Sequence, residues 1–193
     1  MKDNDITWKK LSEKQFKGAY KKYLTKHFRL PNGREGDFDT TSFANRGFVM
    51  ALSLTADNQV LVVKQYRPGP ERIAWDMPAG MIDDEDKDPA AAMARELREE
   101  TGYKAGELIP LNKTAALFGP YDAATGFYFL ARDCRLVAKP EPDQYEVIDL
   151  VTLPLRRFVN EVLRRGNATH ADCGWLAIDY MLRHDMLQLS DIS

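Results

Sequence analysis

Cysteine is scarce: Cys134 and Cys173 are the two in a sequence of 193 residues. They stand in no CxxC or zinc-ligand spacing and make no disulfide framework. Both read as buried thiols kept reduced in an intracellular setting. Long apolar runs are absent as well, and none approaches the roughly 18 residues that a membrane-spanning helix needs. The N-terminal MKDNDITWKK is charged and lacks the apolar stretch of a signal peptide. Neither sign of charge dominates. Lys and Arg number 27 against 29 Asp and Glu, a formal net charge of −2, which argues against gripping nucleic acid by bulk charge and leaves room for a local basic patch. No internal repeat or low-complexity linker interrupts the chain. What is there, 44% hydrophobic and 29% charged residues, is an ordinary globular balance. The length fits one domain, or one domain with a small extension. The expectation is a soluble cytoplasmic protein with neither nucleic acid nor membrane as partner.

The turn signals organise the chain. Residues 1–24 are Lys-rich with weak apolar spacing. His27–Leu30 and Glu35–Thr40 flank Pro31-Asn32-Gly33, and an Asn-Gly pair between extended segments predicts a hairpin with both turn residues at positive φ. Gly47–Thr55 reads as a buried strand, Asp57-Asn58 as a turn, and Val60–Tyr66 as a returning strand. Residues 67–88 look like loop, with Pro68, Gly69, Pro70, Pro78, Gly80 and an acidic run over Asp83–Asp86. Asp88 suits a helix N-cap, Pro89 the first helical position and Gly102 the stop, which predicts a helix between them. Further strands are expected near Leu108–Phe118, Gly126–Ala131 and Glu146–Leu153, then helices over about Leu155–Arg165 and Ala171–Arg183. Strands and helices mix without regular βαβ alternation, which indicates the α+β class.

The helix ending at Gly102 carries the chemistry. At about 100° per residue, Glu96, Glu99 and Glu100 fall within an arc of roughly 100°, apart from the apolar face of Ala90, Met93, Ala94 and Leu97. A solvated surface with Arg95 paired to Glu99 is one reading. Two details oppose it. Glu96 and Glu100 repel at i,i+4 spacing, and all three acids sit where the helix dipole is negative and an acid costs roughly 0.3–1 kcal/mol. A bound hard cation reverses that sign, and ligands that are all oxygen suit Mg²⁺ or Mn²⁺ better than zinc.

At these residues the chain resembles the Nudix hydrolases, whose signature is G-x5-E-x7-R-E-U-x-E-E-x-G-U with U apolar or aromatic. Arg95-Glu96-Leu97, Glu99-Glu100 and Gly102-Tyr103 match its second half, and Gly80 in Pro78-Ala79-Gly80-Met81-Ile82-Asp83 looks like its opening glycine. The spacing from Gly80 to Arg95 is one residue longer than the signature. Counting from Gly80 puts Asp86 at the first Glu of the motif; counting back from Arg95 puts Lys87 there. In the family that Glu braces the loop against the motif Arg, so the departure bears on loop geometry more than on metal binding. Gln65-Tyr66-Arg67-Pro68, Trp75-Asp76-Met77-Pro78-Ala79-Gly80, Phe118-Gly119-Pro120 and Glu146–Leu155 are similar to segments of the ADP-ribose and nucleoside-diphosphate-sugar pyrophosphatases, although Asp76 stands where that subfamily usually has Glu. FRLPNGRE resembles their small sheet, which exchanges across a homodimer.

The resemblance implies an α/β/α sandwich with a mixed sheet over residues 46–193, preceded by a β-hairpin extension over residues 1–45. It implies Glu96 and Glu100 as the primary metal ligands with Glu99 assisting, Glu99 and Glu100 among the catalytic residues, and the Ala79 or Gly80 carbonyl completing the shell of Mg²⁺ or Mn²⁺. It places Tyr66, Arg67 and Pro120 at the substrate, with Arg67 as a diphosphate clamp, and Arg95 as a brace. Glu146 is taken as general base with Glu141 second, though on the residues alone each is equally a solvated loop acid. Trp75 and Tyr121 have rings able to stack on a base, and Trp75 reads equally as core. His27, His170 and His184 show no ligand spacing. The implied activity is metal-dependent hydrolysis of ADP-ribose or a related nucleoside-diphosphate sugar to a nucleoside monophosphate and a sugar phosphate, by a homodimer. The competing readings are a Nudix hydrolase of nucleoside triphosphates or dinucleoside polyphosphates, a non-catalytic nucleotide-sensing Nudix module, and an unrelated α+β domain.

Overall fold

The computed structural model describes residues 6–18, 22–42 and 47–192. In chain order its elements are β1 (Lys9–Lys17), β2 (Lys22–Arg29), β3 (Glu35–Ser42), β4 (Phe48–Thr55), β5 (Gln59–Arg67), β6 (Arg72–Asp76), β7 (Ala79–Met81) and α1 (Pro89–Thr101). Then come β8 (Tyr103–Lys104), β9 (Glu107–Pro110), β10 (Ala116–Gly119), β11 (Asp122–Leu136), β12 (Ile148–Pro154), α2 (Leu155–Phe158) running on as a π-turn over Val159–Leu163, and α3 (Ala171–Arg183). They fall into two compact units, Met1–Gly47 with Ala115–Gly126, and Phe48–Thr114 with Phe127–Ser193. The expected boundary at residues 45 and 46 lies outside the described residues, as do the first five residues.

The first unit is a β-structure. β2 pairs antiparallel with β1 and with β3, and Asp122 at the start of β11 pairs parallel with Thr41. The β2–β3 hairpin falls where expected, but its turn differs. Gly33 takes φ 82°, while Asn32 is not among the residues at positive φ. Asn32 instead accepts the Arg34 N–H at 3.0 Å through its side chain, and Leu30 N–H reaches Arg34 O at 2.8 Å. Pro31 fixes φ ahead of the pair, so the chain closes over a longer loop rather than a two-residue primed turn. Strand β1 was not expected. All of its residues are exposed, so it carries no burial signal.

The second unit holds the sheet order β11-β4-β5-β12, with β6 added to β5, β7 to β4, and β8 and β9 to β11. β4 is buried from Val49 to Thr55, as a strand covered on both faces must be. Alternation sends Val49 and Ala51 to one face, where with Leu61 they pack on Ala92, Met93 and Leu97 of α1 and on Phe129, Ala131 and Cys134 of β11. Met50 and Leu52 point the other way, towards α3, whose Cys173 lies with its Sγ 3.6 Å from Met50 O. Helices thus cover both faces, the expected α/β/α layering of the α+β class. Both cysteines are free and buried. The stretch 67–88, expected as loop, contains β6 and β7. The expected strand Leu108–Phe118 is two, β9 and β10. The first C-terminal helix changes to π pitch at Val159, with Arg164 N–H bonding Val159 O at 2.9 Å. No helix among the described residues is long and apolar enough to cross a membrane.

Candidate active site

Helix α1 sets the positions of the acids, and its two ends are pinned. Asp88 accepts the Ala91 N–H at 2.8 Å, and Pro89 opens the first turn. Gly102 ends the helix at φ 75°, donating to Arg98 O at 2.8 Å. A Cβ on Gly102 would also lie 2.3 Å from Ala138 O, so conformation and space both demand glycine. With the ends fixed, the rotational setting of Glu96, Glu99 and Glu100 is fixed too.

Arg95 ties the loop before the helix to those acids. Its Nε and Nη2 grip the Asp86 carboxylate at 3.2 and 2.8 Å, and Nη2 also donates to Met81 O at 2.9 Å. Its Nη1 donates to Glu96 at 2.8 Å and Glu99 at 2.9 Å. These carboxylates hold the guanidinium charged far above its ordinary range, the Asp86 bonds contributing most. Arg95 is therefore the brace the sequence suggested. Asp86, and not the exposed Lys87, fills the role of the motif's first acid, so the extra residue lies between Asp86 and Arg95.

Glu96 and Glu100 face β7. The Glu100 carboxylate is buried and accepts the Ala79 N–H at 2.9 Å. A Cβ on Gly80 would stand 2.0 Å from the Glu96 carboxyl carbon, so the absence of a side chain at Gly80 is the space Glu96 occupies. Burial pushes the Glu96 carboxyl up to about 7, against the pull of Arg95 and with help from Glu99 and Glu146. Burial pushes Glu100 up to about 8; the Ala79 N–H and Arg67 oppose this, while Glu146 and Glu96 add to it. Glu146 thus presents its charge to both acids. Its own carboxylate accepts the Asp143 N–H at 3.2 Å in a tight turn. Glu141 lies elsewhere, its N–H on Glu99 O at 2.7 Å and its side chain in a groove with Arg98, Lys104 and Lys139.

Among the described residues no three His, Cys, Asp or Glu side chains already converge with metal-ligand geometry, because Glu96 and Glu99 are turned to Arg95. The donor chemistry nevertheless fits a hard divalent ion. The ligands are oxygen only, two carboxylates are largely buried, and burial raises their titration ranges more than Arg95, Arg67 and the Ala79 N–H lower them.

Arg67, at the end of β5, donates through Nε and Nη2 to Asp76 Oδ2 at 3.0 and 2.8 Å. Asp76 is 1% exposed, and its Oδ1 accepts the backbone N–H and hydroxyl of Thr169 at 2.6 and 2.9 Å. This anchor was not read from the sequence, whose one hint was an acid inside the apolar segment Ala74–Met77. Tyr66 is exposed beside it. Trp75 carries Lys64 over its ring, the Nζ 5.1 Å from the centroid. Pro120 and Tyr121 belong to the first unit, where with Phe16 and Tyr23 they line a groove of about 560 Å³. His27 bridges Asp37 and Glu35 in the β2–β3 hairpin, His170 is packed near Phe48, and His184 stacks on Tyr180.

A sheet between helices, with a glycine-led loop fastened by arginine to an acidic helix, defines an α+β domain of α/β/α layering. The NUDIX domain matches residues 45–172, and the chain belongs to the Nudix family. It is similar to the methanol dehydrogenase activator of Bacillus methanolicus, 28% identical over 176 residues, covering 90% of this chain and 94% of that protein. It is also similar to the ADP-ribose pyrophosphatase of Bacillus subtilis, 27% identical over 143 residues, 74% of this chain and 76% of that one. A crystal structure of an ADP compounds hydrolase superposes with TM-score 0.78 at 20% identity, covering 94% of this chain and 97% of that one. This last likeness establishes the shared fold.

Proposed function

We propose that this Nudix hydrolase cleaves the diphosphate of ADP-ribose or a related nucleoside-diphosphate sugar, using Mg²⁺ or Mn²⁺, and releases a nucleoside monophosphate and a sugar phosphate. The observation that carries the reading is the Glu96–Glu100 pair, buried over Gly80 and Ala79 and sharing the field of Glu146. Likeness to the Bacillus subtilis ADP-ribose pyrophosphatase supports the substrate class.

Glu96 and Glu100 would hold the cation, with Glu99 assisting once it leaves Arg95, and with the Ala79 or Gly80 carbonyl nearby. When bound, the cation neutralises diphosphate oxygens and makes a water more acidic. Glu146 takes the proton of the attacking water as its oxygen bonds to phosphorus. The P–O bond of the bridge breaks, and the leaving phosphate carries away the electron pair. Arg67 binds the diphosphate through the part of its guanidinium that Asp76 leaves uncovered. Tyr66, next to Arg67 at the end of β5, contributes to substrate binding. We assign residues 1–45 to an extension, residues 46–193 to the hydrolase domain, and the protein to the cytoplasm as a homodimer, on the resemblance of its hairpin to exchanging sheets; light scattering checks the dimer.

The test is product analysis with Mg²⁺ on ADP-ribose, ADP-glucose, GDP-mannose, UDP-glucose, a dinucleoside polyphosphate and dGTP, beside Glu100→Gln. Monophosphate plus sugar phosphate from a sugar nucleotide, lost in the variant, supports the reading. Pyrophosphate from dGTP with every sugar nucleotide intact overturns it.

A further inference from the structure

We infer that the groove on the outer flank of α1 is a second binding site, one that takes a phosphate dianion, free or as the end group of a phosphomonoester. The groove has a volume of about 480 Å³ and is lined by Arg95, Arg98, Lys104 and Lys139 with Glu99 and Glu141. The chain as a whole is slightly acidic at −2, so four cations in one groove are a local reversal of sign. Arg95 and Glu99 satisfy one another at 2.9 Å, which leaves three cations facing Glu141 alone.

Those cations have little else to do. Among the described residues, none of Arg98, Lys104 and Lys139 lies within ion-pair distance of a carboxylate. Lys104 is also directly opposite Arg135 in the β8–β11 pairing. Like charges in that relation repel, which adds to the local excess of positive charge. The end of α1 is a common home for cations, since its carbonyls are electronegative. Here several acceptors are met by backbone: Gly102 donates to Arg98 O at 2.8 Å, Glu141 to Glu99 O at 2.7 Å, and Val137 and Ala138 to Gly102 O at 2.9 and 3.1 Å. The cations line one open groove, and guanidinium and ammonium groups are the donors that make charge-assisted bonds to phosphate oxygens. The groove adjoins the Glu96–Glu100 pair: Arg95 and Glu99 line it, and Arg95 also bonds Glu96, while Arg98, Lys104 and Lys139 take no part in the reaction proposed above.

The experiment is calorimetric titration of the full chain with inorganic phosphate, and separately with ribose 5-phosphate, in chelator at constant ionic strength. Saturable phosphate binding that weakens about tenfold or more in Lys104→Gln/Lys139→Gln supports the site, in line with the loss of two charge-assisted contacts. Inorganic phosphate alone binding in this groove-dependent way identifies a free-phosphate site; ribose 5-phosphate binding more tightly, with the same dependence, identifies a phosphomonoester site. If the double variant melts early, Arg98→Gln replaces it. No saturable binding, or binding equal in wild type and variant, overturns the proposal. The titration needs no turnover, so its outcome is independent of the reaction proposed above.

Discussion

Arg95 and Asp86 form a two-point pair, Nε to Oδ1 at 3.2 Å and Nη2 to Oδ2 at 2.8 Å, with the Asp86 side chain only 8% exposed. The same carboxylate accepts the Asp83 N–H at 2.8 Å. One short acid thus closes the turn of its own loop and fastens that loop to α1. The lengthened spacing before the helix is absorbed on the exposed side, at Lys87, where an added residue is cheap.

Asp86→Ala removes both functions. It should lower stability by about 1.5–3 kcal/mol, the range for bonds to charged groups, and reduce turnover more than tenfold by loosening the residues that orient Glu96. Lys87→Ala should change stability by less than about 0.5 kcal/mol. Denaturant melts of the two variants decide which of them stands at the motif position. Equal effects would contradict the assignment to Asp86.

Gly80 separates folding from chemistry. A Cβ there meets the far end of the Glu96 side chain and not backbone. Gly80→Ala should therefore fold with a stability change of about 1 kcal/mol or less, because Glu96 can swing away. Its activity should fall by about 10²-fold, since misplacement by one ångström costs that much. Gly102→Ala should do the reverse. Its clash is with the Ala138 carbonyl and its φ is 75°, so it should lose stability by about 1–3 kcal/mol. Thermal melts beside initial rates separate the two.

Arg67 is held by an acid that has no freedom of its own, because Thr169 occupies the other oxygen of Asp76. Arg67→Lys keeps the charge and loses the paired geometry. We expect KM to rise about tenfold with a smaller change in kcat, the pattern of lost ground-state binding. Asp76→Asn turns an amide towards the guanidinium and should show the same KM effect together with a fall in Tm. Unchanged KM and kcat would place Arg67 outside substrate binding, and a kcat effect without a KM effect would confine its contact to the transition state.

Much of this site could be read from local pattern. The ends of α1 are set by Asp88, Pro89 and Gly102, all within bonding reach of the helix they cap, and helical spacing alone puts Glu96, Glu99 and Glu100 in one sector. What could not be read depends on distance along the chain. Thr169 meets Asp76 across 93 positions, and no periodicity reports that. Strands β6 and β7 span five and three residues among prolines and glycines, so their turn residues outweighed their extended ones. β1 is wholly exposed, and a strand without a buried face leaves no alternation. The choice between Asp86 and Lys87 stayed open because the motif can be counted from either end, and only the position of the Arg95 side chain breaks the tie.

The raised ranges of Glu96 and Glu100 predict how the protein responds to pH and metal. Each carboxyl titrates higher folded, at about 7 and about 8, than its ordinary 4.5. Between those values the folded state binds more protons than the unfolded one, so stability falls as pH rises. Below about pH 4.5 these two groups favour the native state fully; above pH 8 their contribution is gone. In chelator, Tm should therefore drop from pH 5 to pH 8.5. Mg²⁺ or Mn²⁺ binds the ionised pair and releases its protons, so added cation should stabilise the protein more at pH 8.5 than at pH 5. Glu100→Gln removes the more buried of the two charges and should flatten both dependences. Scanning fluorimetry over pH, with and without cation, measures all three. A Tm that rises with pH in chelator, or a cation effect that survives in Glu100→Gln, would overturn the placement of the metal on this pair.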